Sequence, residues 1–392
     1  MQHKIKVLQF PIANSKGGIT RYALNIWKML DKEKFQCDFA TVNSYLDFED
    51  ELVAMGSKIH HIISRAEMDE EQFMSEFRNI LKQGYDVVHL YTNYWKSFLV
   101  ERLCMEFQVH KVIVHAVNGG ANIVQGNKEK FDEAMFRHEQ VKARFNELYA
   151  TDFWACSKVA ADFLFGEQIP REKIKIMPVP IDLERFGFEP EVRDKYRKKY
   201  TLENCFVIGH VGRFEYQKNH EFLIKVFYEV SKSVKSAKLL LLGDGKLMAE
   251  VKSQVKALDI EDKVIFLGKF EDVCDWWYQV MDVFCLPSRF EGQPAVLIEA
   301  QASYLPCVYS NLITSEATVN DNTFRLPLDV GVWKEKLIAL SGYCNDEVRR
   351  RHRESSLRVL QDKGCDVKLE IKNIENEYLR GFYDYHKNSV SH

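Results

Sequence analysis

Short apolar runs alternate with longer stretches of helical period along most of the chain. In the first half, residues 5–10, 37–42, 58–62, 87–91, 111–116, 152–155 and 174–177 read as strands, with helices over 21–30, 70–81 and 128–148. The second half repeats the scheme, with strands at 207–211, 238–242, 264–267, 283–286 and 307–309 and helices over 221–233, 246–258, 275–280 and 294–303. Such alternation predicts βαβ units and parallel sheets. Beyond about Asp329 the strand pattern stops and helices finish the chain. The stretch 177–188, holding Pro178, Pro180 and Gly187, is the Pro-rich connection in mid-chain and the expected hinge. The fold class that follows is α/β: one Rossmann-like domain over 1–180, a second over 181–365, and a C-terminal helix in 366–392 placed to pack back on the first. Two such domains facing each other are expected to hold ligands in a cleft, at the carboxyl ends of their strands.

Composition narrows the function. At 392 residues the chain exceeds the usual size of a single core. A net charge of −3 gives no global pull toward nucleic acid. The nine cysteines are scattered with no C-x-x-C pair, which excludes the common zinc spacings and points to a reducing compartment. MQHKIKVLQF at the N-terminus reads as a first strand and not as a signal peptide. No apolar stretch approaches the roughly 18 residues of a spanning helix.

The densest chemistry lies in PSRFEGQPAVLIEAQA, residues 287–302. A buried strand ends, a loop presents Glu291 and Gly292, and a helix opens at about Pro294, a residue suited to a first helical turn. Free N–H groups and the positive dipole end then lie beside Glu291, and Glu299 follows about one and a half turns into the helix. Taken alone, these residues also suit a surface loop and an amphipathic helix with Glu299 in solvent. A second motif, GHVGRFEYQKNH at 209–220, places Arg213 and Lys218 five apart where a strand gives way to a helix. A third, Ser15-Lys16-Gly17-Gly18, sits after the first strand, where glycines let backbone approach a phosphate or simply form a tight turn. His115 closes the strand 111–116 and is followed by Asn118 and Gly119-Gly120. Gly243-Asp244-Gly245 lacks the third glycine of a dinucleotide fingerprint and reads as a turn only. Trp276-Trp277-Tyr278 reads as helix packed on core in preference to a base-stacking platform.

Together these motifs resemble the family-4 retaining glycosyltransferases of the GT-B fold. Their Glu, seven residues, Glu signature falls on Glu291 and Glu299. The resemblance implies that Glu291 contacts sugar hydroxyls and Glu299 the ribose, while Arg213 and Lys218 bind the donor diphosphate. A departing diphosphate gathers charge, which without a metal must be met by fixed cations. Gly17 and Gly18 are implied at the diphosphate, His115 near the sugar, and Gly268 and Phe270 at the base. Gly212, Gly292, Gln293, Pro294 and Ala295 complete the implied donor site, and Asn118 and Gly119 are the acceptor candidates. The resemblance is close over 207–327 and looser before it. EGQPAVLIEAQASYLPCVYS is most similar to members that build capsular or extracellular polysaccharide. It departs at Gln293, at Tyr304, where a glycine is expected, and at Val117, where such members often carry a second histidine.

What the resemblance implies is a UDP-linked hexosyl or N-acetylhexosaminyl donor, a glycan or lipid-linked oligosaccharide acceptor, no cofactor and no metal ion. The place implied is the cytoplasm, with peripheral contact at the inner membrane face. Residues 121–148, rich in Lys, Arg and Phe, are a candidate headgroup or acceptor contact, and equally a solvated helix. The two glutamates are not a hydrolase's acid and base, because a diphosphate departs without a general acid. Rival readings are an epimerase of the same shape, which needs acid and base groups at the sugar, and a partner-binding member without catalysis. A dinucleotide-dependent oxidoreductase is disfavoured because no G-x-G-x-x-G follows either first strand.

Overall fold

The computed structural model describes residues 4–14, 18–120, 128–268, 276–343 and 346–382. The described residues form two compact units, the first from those before residue 121, from Glu129–Pro180 and from the segment that starts at Val367, the second mainly from Ile181–Asp366.

The first unit runs β1 (Ile5–Phe10), α1 (Gly18–Met29), β2 (Phe35–Thr41), α2 (Glu49–Ala54), β3 (Ile59–His61), α3 (Glu70–Leu81), β4 (Val87–Thr92), α4 (Leu99–Glu106), β5 (Lys111–Ala116), α5 (Lys128–Lys142), β6 (Asp152–Ala155), α6 (Lys158–Leu164) and β7 (Ile174–Ile176). Its parallel sheet has the order β3-β2-β1-β4-β5-β6-β7. Alternate residues face opposite sides of a strand, so Leu8, Val88, Val112 and Val114 line one core and Val7, Val87, Tyr91 and Ile113 the other.

The second unit contains α7 (Pro190–Lys199), β8 (Phe206–Val211), α8 (His220–Ser233), β9 (Ala237–Leu242), α9 (Met248–Ala257), β10 (Val264–Gly268), α10 (Trp276–Val280), β11 (Val283–Leu286), α11 (Ala295–Ala302), β12 (Cys307–Ser310), β13 (Thr323–Leu326), α12 (Val330–Leu340) and α13 (Asp346–Asp362). The last helix, α14 (Val367–Leu379), belongs to the first unit, where Ile371, Ile374 and Tyr378 enter the core beneath β1, β2 and β4. The second sheet is parallel, in the order β10-β9-β8-β11-β12-β13. In each unit the strand order reverses beside the first strand, between β1 and β4 and between β8 and β11. Ligand sites of open α/β sheets form at such points.

Most differences from the sequence expectation are shifts of one or two residues at element ends, but two have a clear physical cause. Helix α5 stops at Lys142 instead of running to Leu148, and a separate 3₁₀ turn follows, with the Asn146 carboxamide oxygen accepting from the Leu148 N–H at 2.9 Å. Helix α7, PEVRDKYRKK, carries no apolar stripe; its buried positions are Arg193 and Arg197. Both guanidiniums reach the C-terminal end of α10, donating to the carbonyls of Gln279, Val280 and Met281 and to the Asp282 carboxylate. Arg349 from α13 joins them, donating to Tyr278 and Met281. The Trp276-Trp277-Tyr278 run is accordingly packed structure: Trp276 stacks on Tyr196 of α7 at 3.8 Å, and Trp277 is fully buried.

Asp282 is 5% exposed and also accepts from the Val207 N–H at 2.7 Å. Removing one member of a buried charge set strands the rest, so Asp282→Ala is expected to cost about 3–5 kcal/mol. A fall in the urea midpoint of that order, followed by tryptophan fluorescence, is the check; a change within 1 kcal/mol, roughly the range of surface substitutions, overturns it.

Candidate active site

The site grows from the loops that leave β8 and β11. After β8 the chain passes through Gly212 and Arg213 into a 3₁₀ turn, Tyr216–Lys218, and Asn219 takes a left-handed φ of 56° before α8 begins. After β11 the loop 287–294 leads to α11, with Pro294 as its N-cap, one residue later than the expected start. The two loops are tied together. The Lys218 ammonium lies 2.7 Å from one Glu291 carboxylate oxygen, and the Gln217 amide donates at 3.0 Å to the other and to the Phe290 carbonyl. Arg289 donates its backbone N–H to Gln217 and stacks its guanidinium over Tyr216 at 4.0 Å. The structure thus joins Lys218 and Glu291, two residues that sequence spacing alone leaves 73 positions apart. Arg213 stands at the rim, its side chain 47% exposed and paired with Glu215 at 3.1 Å.

Glu299 is no solvated surface carboxylate. It is 1% exposed on the inner face of α11 and accepts from the Tyr278 hydroxyl at 2.5 Å. A carboxylate is almost never fully buried without partners. Helix α11 has no side-chain cap, so by helix geometry its first N–H groups need partners from outside it, next to Gly292, Gln293, Pro294 and Ala295.

Gly243-Asp244-Gly245 does more than turn the chain. The Gly212 N–H bonds to Leu242, the Phe214 N–H to Asp244 and the Gly243 N–H to Gly268. A Cβ on Gly243 would stand 2.0 Å from the Gly212 carbonyl oxygen, and one on Gly245 2.7 Å from the Phe214 nitrogen. The Arg213 loop therefore rests backbone on backbone against this turn, a seat that only glycine leaves open. The signal was legible as two glycines flanking one residue; its partner was not.

Beneath Gly212 and Lys218 lie two buried histidines that the sequence reading passed over. Nδ1 of His210 donates to the Cys285 carbonyl at 2.8 Å, and His220 packs against His210 and stacks on Phe214. Nε2 of His210 and both nitrogens of His220 have no hydrogen-bond partner among the described residues. Burial first, then neighbouring charge, lowers both: His210 to about 3, and His220 well below its ordinary range.

In the first unit, Gly18 opens α1 and a Cβ there meets none of the described residues within 4 Å. Thr20 ties the loop from β1 to the helix, its hydroxyl accepting from the Ala13 N–H and donating to the Ala13 carbonyl. The side chain of Asn118 accepts from the Gly119 N–H at 2.9 Å. His115 is the penultimate residue of β5, near the strand's carboxyl end as expected. It is fully buried on the sheet face covered by α1 and α14, with Nδ1 3.1 Å from Nε2 of His89. Gly268 ends β10 at a φ of 74°, while Gly17 and Phe270 lie outside the described residues. No group of His, Cys, Asp and Glu among the described residues is arranged to hold a metal ion.

Two doubly wound parallel sheets give the chain the GT-B fold, and a cation–carboxylate pair spans the switch point of the second. Residues 205–341 match the family model Glycosyl transferases group 1, and the chain is a glycosyltransferase built around that domain. Over 95% of its length it is 29% identical to EpsF of Bacillus subtilis (strain 168), covering 96% of that protein. It is 24% identical to the UDP-Gal:alpha-D-GlcNAc-diphosphoundecaprenol alpha-1,3-galactosyltransferase of Escherichia coli, over 97% of this chain and 93% of that one. Among solved structures, Anabaena Alr3699/HepE in complex with UDP and glucose superposes with a TM-score of 0.74 at 17% identity, covering 97% of this chain and all of that one.

The seat of the Arg213 loop gives a ranking. Gly243→Ala drives a Cβ into backbone at a φ of 142°, whereas Gly268→Ala meets none of the described residues within 4 Å and bears the left-handed penalty of about 1–2 kcal/mol. Urea unfolding is expected to show Gly243→Ala as the more damaging change; equal losses overturn the backbone-contact account.

Proposed function

We propose that the chain moves a hexosyl or N-acetylhexosaminyl group from a UDP-linked donor to a glycan or lipid-linked oligosaccharide in surface-polysaccharide assembly, with retention of configuration and without a metal ion. The observation that carries this is the Lys218–Glu291 pair across the β8/β11 switch point, with Arg213 at its rim. A cation for the diphosphate and a carboxylate for sugar hydroxyls are there held in one hydrogen-bonded unit. Arg213, Lys218 and the N-terminus of α11 stabilise the leaving diphosphate, and Glu291 orients the sugar. Glu299, fixed by Tyr278, takes the ribose, while Gly268 and Phe270 lie at the base. The acceptor hydroxyl attacks on the face from which the diphosphate departs, through an oxocarbenium-like state, and neither glutamate serves as a general acid.

The first unit is assigned the acceptor, with Asn118 and Gly119 as contacts, and Gly17 and Gly18 are assigned to the diphosphate. His115 is assigned to the transferred sugar through Nε2, the nitrogen of its ring that no described residue engages; because it is enclosed, donor binding is expected to open the packing around it. The lipid-diphosphate acceptor in the name of the Escherichia coli relative supports work at the cytoplasmic face of the inner membrane. Among the described residues no helix is long and apolar enough to cross a membrane.

Incubation with a panel of UDP-sugars, with and without lipid-linked acceptors, is expected to release UDP in an acceptor-dependent manner that persists in excess chelator. Activity lost to chelator and restored by Mg²⁺ or Mn²⁺ overturns the role given to the cations. Arg213→Ala is expected to lower kcat by roughly 10²-fold, the scale for one preorganised electrostatic contact. Glu299→Ala should instead raise KM for the donor more than it lowers kcat, since a ribose contact is similar in ground and transition states. If both variants alter only KM, the division of roles fails.

A further inference from the structure

The sheet face covered by α1 and α14 carries polar side chains where a core face ordinarily carries apolar ones. Gln9, His89 and His115 are all fully buried there, and in register Gln9 neighbours His89, while His115 lies between Tyr91 and Trp154. A single chain of contacts runs through them. The Tyr378 hydroxyl of α14 lies 2.9 Å from Nδ1 of His89, and Nε2 of His89 lies 3.1 Å from Nδ1 of His115. The imidazole planes are within 18° of parallel with centroids 5.3 Å apart, the separation of rings joined edge to edge by one hydrogen bond. Nε2 of His115 ends the chain without a partner among the described residues.

Proton accounting gives the chain a direction. Both rings are neutral, because burial lowers His89 well below its ordinary range and His115 to about 3. If His115 donated from Nδ1 to His89, His89 would donate from Nδ1 to Tyr378. The tyrosine O–H and the Nε2 lone pair would then both go unmet. In the opposite sense the tyrosine donates to His89 and His89 donates to His115, which leaves unmet the Nε2–H of His115 and the weakly accepting lone pairs of the phenol. Each sense strands one proton; the first also strands an imidazole lone pair, the second only those of a phenol, a weaker acceptor, so the second arrangement wins.

We propose that Tyr378 and His89 are positioning residues that fix His115 as its Nε2–H tautomer, so that its unengaged nitrogen is a hydrogen-bond donor and not a base. An oxygen with available lone pairs, such as a sugar hydroxyl, fits such a donor, and a proton to be abstracted does not. The tautomer itself stands on this geometry; its consequence for transfer rests on the reading of His115 as the sugar contact.

Long-range proton–nitrogen correlation spectra of the full chain labelled with ¹⁵N-histidine test it, with His89→Gln and His115→Gln used for assignment. The wild-type spectrum is expected to show both rings protonated at Nε2; protonation of His115 at Nδ1 overturns the proposal without need of any variant. Tyr378→Phe retains the ring that stacks on Trp154 but removes the O–H. With the donor gone the two directions become equivalent, so His115 is expected to show both tautomers. A spectrum unchanged in Tyr378→Phe overturns the relay. An even mixture leaves half the molecules competent, so turnover falls about twofold. The expected tautomers with unchanged turnover uphold the relay and sink only the sugar contact.

Discussion

Three guanidiniums and one carboxylate, buried where α10 meets β11, hold the second unit in the form its chemistry needs. Arg193, Arg197 and Arg349 collect the carbonyls that end α10, where the helix dipole is negative and cations are favoured. Asp282 offsets part of their charge and takes the N–H of Val207 near the start of β8. From that point two lines lead outward. One runs along β8 to Gly212, Arg213 and Lys218. The other runs back through α10 to Tyr278, whose hydroxyl fixes Glu299. Arg213 and Lys218 on one line and Glu299 on the other thus share one anchor, although none of them touches it.

Much of this was legible in the sequence, and the limits have physical causes. Both sheets announce themselves through apolar runs, since a parallel strand buried on both faces leaves no polar alternation to confuse it. The Glu291 and Glu299 spacing and the Arg213 and Lys218 spacing mark their loops. What spacing could not give is which partners meet: Gln217 and Tyr278 carry no signature of their own, yet each holds a glutamate. Helix α7 escaped notice because its inward residues are arginines, which a hydrophobic period does not count. Tyr304, where a glycine was expected, has a φ of 48°, the left-handed region glycine favours. The strain is held by the side chain itself, whose hydroxyl meets Asp321 at 2.7 Å and whose ring stacks on His352.

The buried histidines divide by what their fixed nitrogen meets. His210 faces a carbonyl, which can only accept, so its Nδ1 carries the proton and Nε2 keeps a lone pair beneath Gly212. Kept neutral by burial, it adds no positive charge beneath Lys218. His115 faces another imidazole, and its state is settled two links away. Burial keeps both rings uncharged; the neighbour decides what each presents.

The first unit is discontinuous, and that shapes how it is made. Tyr378 closes a core against His89, 289 residues earlier in the chain. At ribosomal rates of about 5–20 residues per second, roughly 15–60 s separate the synthesis of the two halves of that contact. During this interval the sheet face that α14 will cover, with Val7, Phe35 and Trp154, waits open beside half-met polar groups. The nascent first unit is thus an unfinished container whose lid is translated after its walls, and that window is when a chaperone would be most useful to it.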